Sequence, residues 1–141
     1  MRAATSIKAP DGRHYELEFS TGDNYVTAWI KLNRLPVGYA KLSLRANIAN
    51  LEDIHISSNA PNSSALLRLF FPKLFTRNFR GKGIGSLFLN AVCDHLRCSG
   101  VKRIEGTMSG DIDRLARWYG KAGFEVDQVS KSIGKELVVH N

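Results

Sequence analysis

Three glycines in the middle of the chain alternate with other residues directly before an apolar run that has helical spacing. Glycine has no Cβ, so the backbone there can reach positive φ and let a ligand approach closely. The first turn of the following helix leaves N–H groups without partners and carries partial positive charge. Such a segment predicts a site at which backbone groups bind an anion, most often phosphate. Its residues are Arg80, Gly81, Lys82, Gly83, Ile84, Gly85 and Ser86.

Positive charge is concentrated around this glycine loop. The 141-residue chain has a net charge of +7, and residues 73–103 include seven basic residues but only one acid, Asp94. This distribution favours either an anionic ligand or an ordinary solvated basic face. Nucleic acid is a third interpretation, but aromatic residues are not interleaved with the basic ones as base stacking would require. Nucleic acid is therefore not the expected partner.

The hydrophobic pattern predicts an α+β fold with a mixed sheet, in one domain that covers residues 1–141. Short connections between the first strands indicate an antiparallel meander. A strand–helix–strand unit further on predicts two parallel strands joined by a right-handed crossover. The first predicted helix begins at Gly85 and the second covers residues 112–122. The predicted strands are residues 14–20, 25–32, 37–44, 51–56, 101–107, 124–129 and 134–140, with residues 45–50 as a short link.

Other features of the composition bear on compartment and cofactor. No apolar run approaches the roughly 20 residues needed to cross a bilayer, and the first 14 residues lack the apolar core of a signal peptide. Cys93 and Cys98 point in different directions on one predicted helix, so we expect two free thiols and a cytoplasmic protein. The four histidines show no ligand spacing with either cysteine, so no metal is expected.

Two segments resemble motifs of the GCN5-related N-acetyltransferase (GNAT) family. Arg80, Gly83 and Gly85 match its Arg/Gln-x-x-Gly-x-Gly/Ala loop, and residues 118–124 match a second motif that ends in Gly-Phe. A lone glycine loop is a weak signal, whereas the two motifs in this order, one helix and one strand apart, are specific. The resemblance implies a GNAT-like fold and an acyltransferase that moves an acetyl group directly from acetyl-CoA to an amine.

The resemblance also implies roles for individual residues. The loop backbone would hold the CoA pyrophosphate, and the preceding strand, through Ile54, His55 and Ile56, would contact the pantetheine and the thioester. Tyr119 would protonate the departing sulfur, although from spacing alone it fits a core aromatic better. Because a phenol has a higher pKa than a thiol, a helix end or a positive charge near Tyr119 would have to assist.

The resemblance leaves the general base open between two carboxylates on the strand before the loop. Glu52 is the first candidate and Asp53 the second. Strict alternation along the strand would put Asp53 and His55 on one face and Glu52 on the other. From the residues alone, both acids fit structural or solvent-facing groups at least as well as a base.

The chain departs from the family pattern in three places. Many relatives have an Asn at the start of the second motif helix, where this chain has Asp111. Usual members also have two helices between their first two strands, and residues 21–24 leave no room for them. Residues 57–76 form an apolar-rich insertion, which we expect either to replace the missing wall of the acceptor pocket or to form a homodimer contact.

These departures favour one alternative to an enzyme, a catalytically silent GNAT-fold module that binds CoA or another protein. If the protein is an enzyme, its acceptor is a small-molecule or protein amine, between which the sequence does not choose.

Overall fold

A computed structural model describes residues 2–9, 12–56 and 83–137, which form eight strands and two helices. The strands are β1 (Arg2–Lys8), β2 (His14–Thr21), β3 (Tyr25–Leu32), β4 (Leu35–Arg45), β5 (Ile48–Ile56), β6 (Arg103–Thr107), β7 (Glu125–Asp127) and β8 (Ser132–Glu136). The helices are α1 (Ile84–Cys98) and α2 (Ile112–Lys121). The predictions for residues 57–76 and for Arg80, Gly81 and Lys82 lie outside the described residues.

All eight strands belong to one mixed sheet, in the order β1-β2-β3-β4-β5-β6-β8-β7. Neighbouring strands are antiparallel except β5 and β6, which are parallel and have α1 between them in the chain. The predicted α+β class, the N-terminal meander and the strand–helix–strand unit are thereby confirmed. Only residues 22–24 separate β2 from β3, so the two helices expected to be missing are indeed absent from that connection.

Several strand boundaries differ from the prediction. β1 was not predicted, because its small and polar residues give no apolar alternation; it is held by its antiparallel pairing with β2. The link predicted at residues 45–50 is wrong, because β4 runs to Arg45 and β5 begins at Ile48. Ala46 makes this tight turn at φ 55°, a conformation uncommon outside glycine and therefore hard to foresee. The strands β6 and β7 are shorter than predicted, and β8 begins two residues earlier than predicted.

Helix α1 packs on one face of the sheet. Alternate residues of β2 and β3 are buried there, as expected for strands with one covered face. The imidazole of His95 on α1 stacks on the ring of Phe19 in β2, with ring centroids 3.9 Å apart. The buried residues that α1 contributes to the core are Ile84, Phe88, Leu89, Val92, Cys93 and Leu96.

The other face of strands β2 to β5 is mostly polar or aromatic, and we call it the polar face. Its alternating residues, which run from Glu16 on β2 to His55 on β5, are all exposed or only partly buried. Lys31 and Glu18 form a salt bridge across this face at 2.6 Å. Trp29 lies opposite Tyr39 in the register of β3 and β4.

Candidate active site

Strands β5 and β6 separate halfway along β5. Their parallel pairing ends at Leu51 and Gly106, while β5 continues to Ile56. A Cβ on Gly106 would lie 3.1 Å from the carbonyl oxygen of Leu51, so glycine permits the close approach at the last paired position. Beyond it, β6 no longer pairs with this edge of β5, which is the arrangement in which an extended ligand can lie against a strand.

A β-bulge lies just where the two strands separate. Leu51 pairs with Leu42 but Asp53 pairs with Lys41, so Glu52 is the extra residue. Glu52 and Asp53 are consequently both exposed, and the strict alternation expected at Glu52 is wrong. Asp53 and His55 do share a face, as expected. A bulge of this kind bends the strand and re-aims the side chains beside it.

The N-terminus of α1 forms the other side of the opening. Gly83 caps the helix in the left-handed conformation, with φ 79°, and no side chain caps the first turn. The ladder begins with the N–H of Leu87, which donates to the Gly83 carbonyl oxygen at 3.0 Å. Within the described residues, the N–H groups ahead of Leu87 have no partner, and the first turn has no acidic residue that would oppose an anion.

A cavity of about 460 Å³ lies between the end of β5, the start of α1 and one side of α2. Its lining residues are Ile54, His55, Ile56, Gly83, Gly85, Ser86, Arg114, Leu115, Arg117, Trp118 and Lys121. The indole N–H of Trp118 donates to Ser86 Oγ at 3.2 Å, which links the two helices across the cavity. A Cβ on Gly85 would lie 3.3 Å from the Trp118 ring, so glycine allows this contact.

Three cations line the α2 side of the cavity. Arg114, Arg117 and Lys121 are three and four residues apart, which places them on one face of the helix. Arginine and lysine in such a position are suited to phosphate groups. The sequence interpretation missed these residues, although their helical spacing directly before and within the second motif was a usable signal.

Most of the cofactor residues expected from the sequence lie around this cavity. Ile54, His55, Ile56, Gly83, Gly85 and Ser86 all line it. Ile84 does not, because its side chain is fully buried in the core, so only its backbone N–H can serve a ligand.

Tyr119 lies in the core beside the cavity rather than on its lining. It is 4% exposed, and its ring centroid is 4.8 Å from that of Trp118 and 5.3 Å from that of Phe124. Its hydroxyl has no hydrogen-bond partner among the residues that the structure describes. Burial, and secondarily the negative charge of Asp53, raise the pKa of Tyr119 to about 12. This is the opposite of the assistance expected from a helix end or a positive charge.

The two candidate bases differ in their surroundings. Tyr39 donates its hydroxyl to Asp53 Oδ2 at 2.7 Å, and this hydrogen bond is the main reason why the pKa of Tyr39 is raised. Asp53 also acts on the pKa of Tyr119, so it lies within electrostatic range of the buried phenol. Glu52 shows neither interaction with the described residues.

Asp111, which stands at the start of α2 where many relatives have Asn, has a role within its own helix. Asp111 is the N-cap of α2, and its carboxylate accepts a hydrogen bond from the backbone N–H of Arg114 at 3.2 Å. Capping is a role for which Asp and Asn are equally suited. The Asp111 side chain is therefore engaged within its own helix.

The family model described as "Acetyltransferase (GNAT) family" matches residues 3–124 of the chain. The chain belongs to the GNAT acetyltransferase family. This confirms the resemblance seen in the two motifs. No protein of curated function matches the sequence of this GNAT member.

Solved structures similar to this GNAT domain share its fold at low sequence identity. The ribosomal-protein-S18-alanine N-acetyltransferase from Escherichia coli is 13% identical with a TM-score of 0.61, covering 100% of this chain and 97% of that one. The PaiA N-acetyltransferase from Thermoplasma acidophilum, solved with coenzyme A, is 16% identical with a TM-score of 0.59; the match covers 80% of this chain and 61% of that one. A cAMP-binding acyltransferase from Mycobacterium smegmatis is 10% identical with a TM-score of 0.67, and the match covers 98% of this chain and 48% of that one.

The described part of the GNAT domain contains neither a membrane-spanning helix nor a cluster of metal-binding side chains. Neither α1 nor α2 is long and apolar enough to cross a membrane. Among residues 2–9, 12–56 and 83–137, no three His, Cys, Asp or Glu side chains are grouped so as to hold a metal ion. Cys93 is a buried free thiol and Cys98 an exposed one.

Proposed function

We propose that the protein transfers an acetyl group from acetyl-CoA directly to an amine. The observation that carries this proposal is the uncapped N-terminus of α1, which opens with its left-handed Gly83 onto a cavity lined by three cations of α2. Free N–H groups, a helix dipole and Arg or Lys side chains together favour a polyanionic ligand such as the diphosphate of CoA. Family membership indicates acyl-CoA as that ligand.

The pantetheine arm of the donor would lie along the end of β5. Residues Ile54, His55 and Ile56 line the cavity, and β6 no longer occupies that side of the strand. The arm would carry the thioester toward the bulge at Glu52 and toward Tyr119. In this arrangement the glycine loop and α2 bind the donor, and the bulge positions the groups that act on the acceptor.

In the reaction, the amine nitrogen attacks the thioester carbon, so a C–N bond forms and the C–S bond breaks. We assign the proton of the amine to Asp53 rather than Glu52, because Asp53 is fixed by Tyr39 and lies near Tyr119. Tyr119 would protonate the departing sulfur. Transfer from a phenol of pKa about 12 to a thiolate whose acid has a pKa of about 8.5 is uphill by roughly 5 kcal/mol.

Protonation of Asp53 makes the proton transfer from Tyr119 to the departing sulfur less unfavourable. While Asp53 is ionised, its negative charge is one of the two causes that raise the pKa of Tyr119. Once Asp53 has taken the proton of the amine, that charge is gone and only burial still raises the pKa. Tyr119 thus becomes a stronger acid after the nucleophile has attacked, and the phenolate regains its proton from Asp53 or solvent.

Thermal unfolding with and without acetyl-CoA tests donor binding. Ligand at 100 times its dissociation constant should add about 2.7 kcal/mol to the free energy of unfolding, or about 9 °C in Tm for a chain of this length. Release of free thiol in the presence of a panel of amines tests turnover. No shift at millimolar acetyl-CoA would refute the proposal, and a shift without turnover on any amine would support the silent binding module instead.

A further inference from the structure

Four polar side chains form a cluster on the polar face of the sheet, where β4 meets β5. They are Tyr39, Lys41, Asp53 and His55. In the strand register Tyr39 lies opposite His55, and Lys41 lies opposite Asp53. His55 also lines the proposed CoA cavity, and its ring centroid is 5.9 Å from that of Tyr39. The cluster therefore adjoins the end of the cavity.

The carboxylate of Asp53 is held in place through one of its two oxygens. Oδ2 accepts the hydrogen bond from Tyr39. Oδ1 has no hydrogen-bond partner within the described ranges. A fixed carboxylate with one uncommitted oxygen, close to the proposed point of transfer, is suited to an ammonium group.

Lys41 provides the opposite charge a short distance away. It is exposed, and its Nζ lies 5.6 Å from the centroid of the Tyr39 ring. Although Lys41 and Asp53 are cross-strand neighbours, they form no salt bridge with each other in the structure. On the same face, Lys31 and Glu18 do close into such a bridge at 2.6 Å. The cluster therefore presents a positive and a negative group side by side without mutual neutralisation.

We propose that Asp53, Tyr39 and Lys41 form the acceptor site, and that the acceptor is an amine with a carboxylate next to it, as in an α-amino acid. Asp53 binds the ammonium form, which first releases one proton to solvent; the neutral amine then attacks the thioester carbon, and its second proton passes to Asp53 as the C–N bond forms. Lys41 pairs with the carboxylate, which does not change in the reaction. Tyr39 is a positioning residue for Asp53. This inference rests on the proposed acetyl transfer, for which it names the substrate class.

The arrangement also disfavours polycationic acceptors. A polyamine bound at Asp53 would place its other charges against Lys41 or against the cations of the cavity. Like charges at such short range are repulsive, and the repulsion is strongest at low salt. Spermidine is therefore the natural counter-probe to an amino acid.

The test measures thiol release from acetyl-CoA with each common α-amino acid and with its own amide, which lacks only the negative charge. For the preferred side chain, we expect kcat/KM of the acid to exceed that of the amide by up to about fivefold, the upper end for one exposed charge pair. Lys41→Glu should reverse this ratio and improve spermidine. Arg45→Glu is the matched control, because Arg45 is exposed four residues further along β4 and undergoes the same change of charge; it should keep the ratio.

Two more variants separate acceptor binding from folding. Asp53→Asn should abolish turnover but keep the rise in Tm with acetyl-CoA. Tyr39→Phe should raise KM for the amino acid more than it lowers kcat. If acetyl-CoA gives no shift, the proposed function itself fails. If acetyl-CoA binds but no acid is preferred over its amide, if no amine is turned over, or if Lys41→Glu leaves the ratio unchanged, this inference is overturned while donor binding stands.

Discussion

Replacing Tyr119 by Phe separates a catalytic phenol from a core aromatic. The ring of Tyr119 packs against Trp118 and Phe124, and Phe keeps both contacts. The hydroxyl is buried, and the structure gives it no hydrogen-bond partner in its described residues. Removing it should therefore change the free energy of unfolding by at most about 1 kcal/mol, which is about 3 °C in Tm for a chain of this length.

The effect on turnover should be much larger. A positioned general acid contributes about 10²- to 10⁴-fold to a rate, so Tyr119→Phe should lower kcat by that factor. The rise in Tm with acetyl-CoA should stay unchanged, because Phe keeps the ring packing against Trp118, which lines the cavity. Since the pKa of Tyr119 is raised to about 12, the phenol stays protonated through neutral and moderately alkaline pH. The wild-type rate should show no alkaline fall from this group below about pH 11.

The assay follows thiol release at saturating acetyl-CoA and a fixed amine, between pH 6 and 10. Tyr25→Phe is the control, because Tyr25 is 51% exposed at the start of β3 and far along the chain from both motifs. It should leave kcat, Tm and the ligand shift unchanged. Equal turnover of Tyr119→Phe and the wild type would make Tyr119 a core residue and refute the assignment of the acid.

Three further predictions concern the donor site and stability. Gly83→Glu should abolish the Tm shift with acetyl-CoA, because it places bulk and negative charge at the start of α1. Gly100→Glu is its control, since it makes the same charge change at the other end of α1 at a similar φ of 89°, and it should keep the shift. Burial lowers the pKa of His95 below 6.5, so the unfolded chain binds more protons and stability should fall as pH drops below about 6.5 toward the lowered pKa. His95→Asn should remove that dependence in unfolding curves taken at each pH, and His14→Gln at the exposed start of β2 should not. Asp111→Ala should lower the free energy of unfolding by about 1 kcal/mol through loss of the α2 cap, and an unchanged Tm would contradict that role.

The sequence carried enough signal for the fold but less for the site. Apolar alternation predicts β2 and β3 almost to the residue, and the spacing from Leu87 to Leu96 predicts α1. Those elements bury one face, so their pattern is visible in the chain. β1 gives no such pattern, since it pairs with β2 along its length and, among its described side chains, Ile7 alone is partly buried against the core.

Site features that depend on register could not be predicted. The bulge at Glu52 follows from a shift in the pairing of β4 and β5, which no residue type announces. The same pairing brings Tyr39 to Asp53, although the two are 14 residues apart in the chain. The prediction that Glu52 lies on the opposite face from Asp53 depended on strict alternation, and the bulge removes that basis.

The polar face of the sheet bears on how acceptor preference is set in this family member. Lys31 is paired with Glu18 across it, and most of its other described side chains are polar or aromatic and at least partly exposed. Such a face does not need the apolar packing that α1 gives to the opposite side. In the proposed acceptor site, Tyr39, Lys41 and Asp53 of this face contact the acceptor. In this chain, acceptor preference should therefore depend on strand residues of β4 and β5, so substitutions there should change specificity with little effect on donor binding.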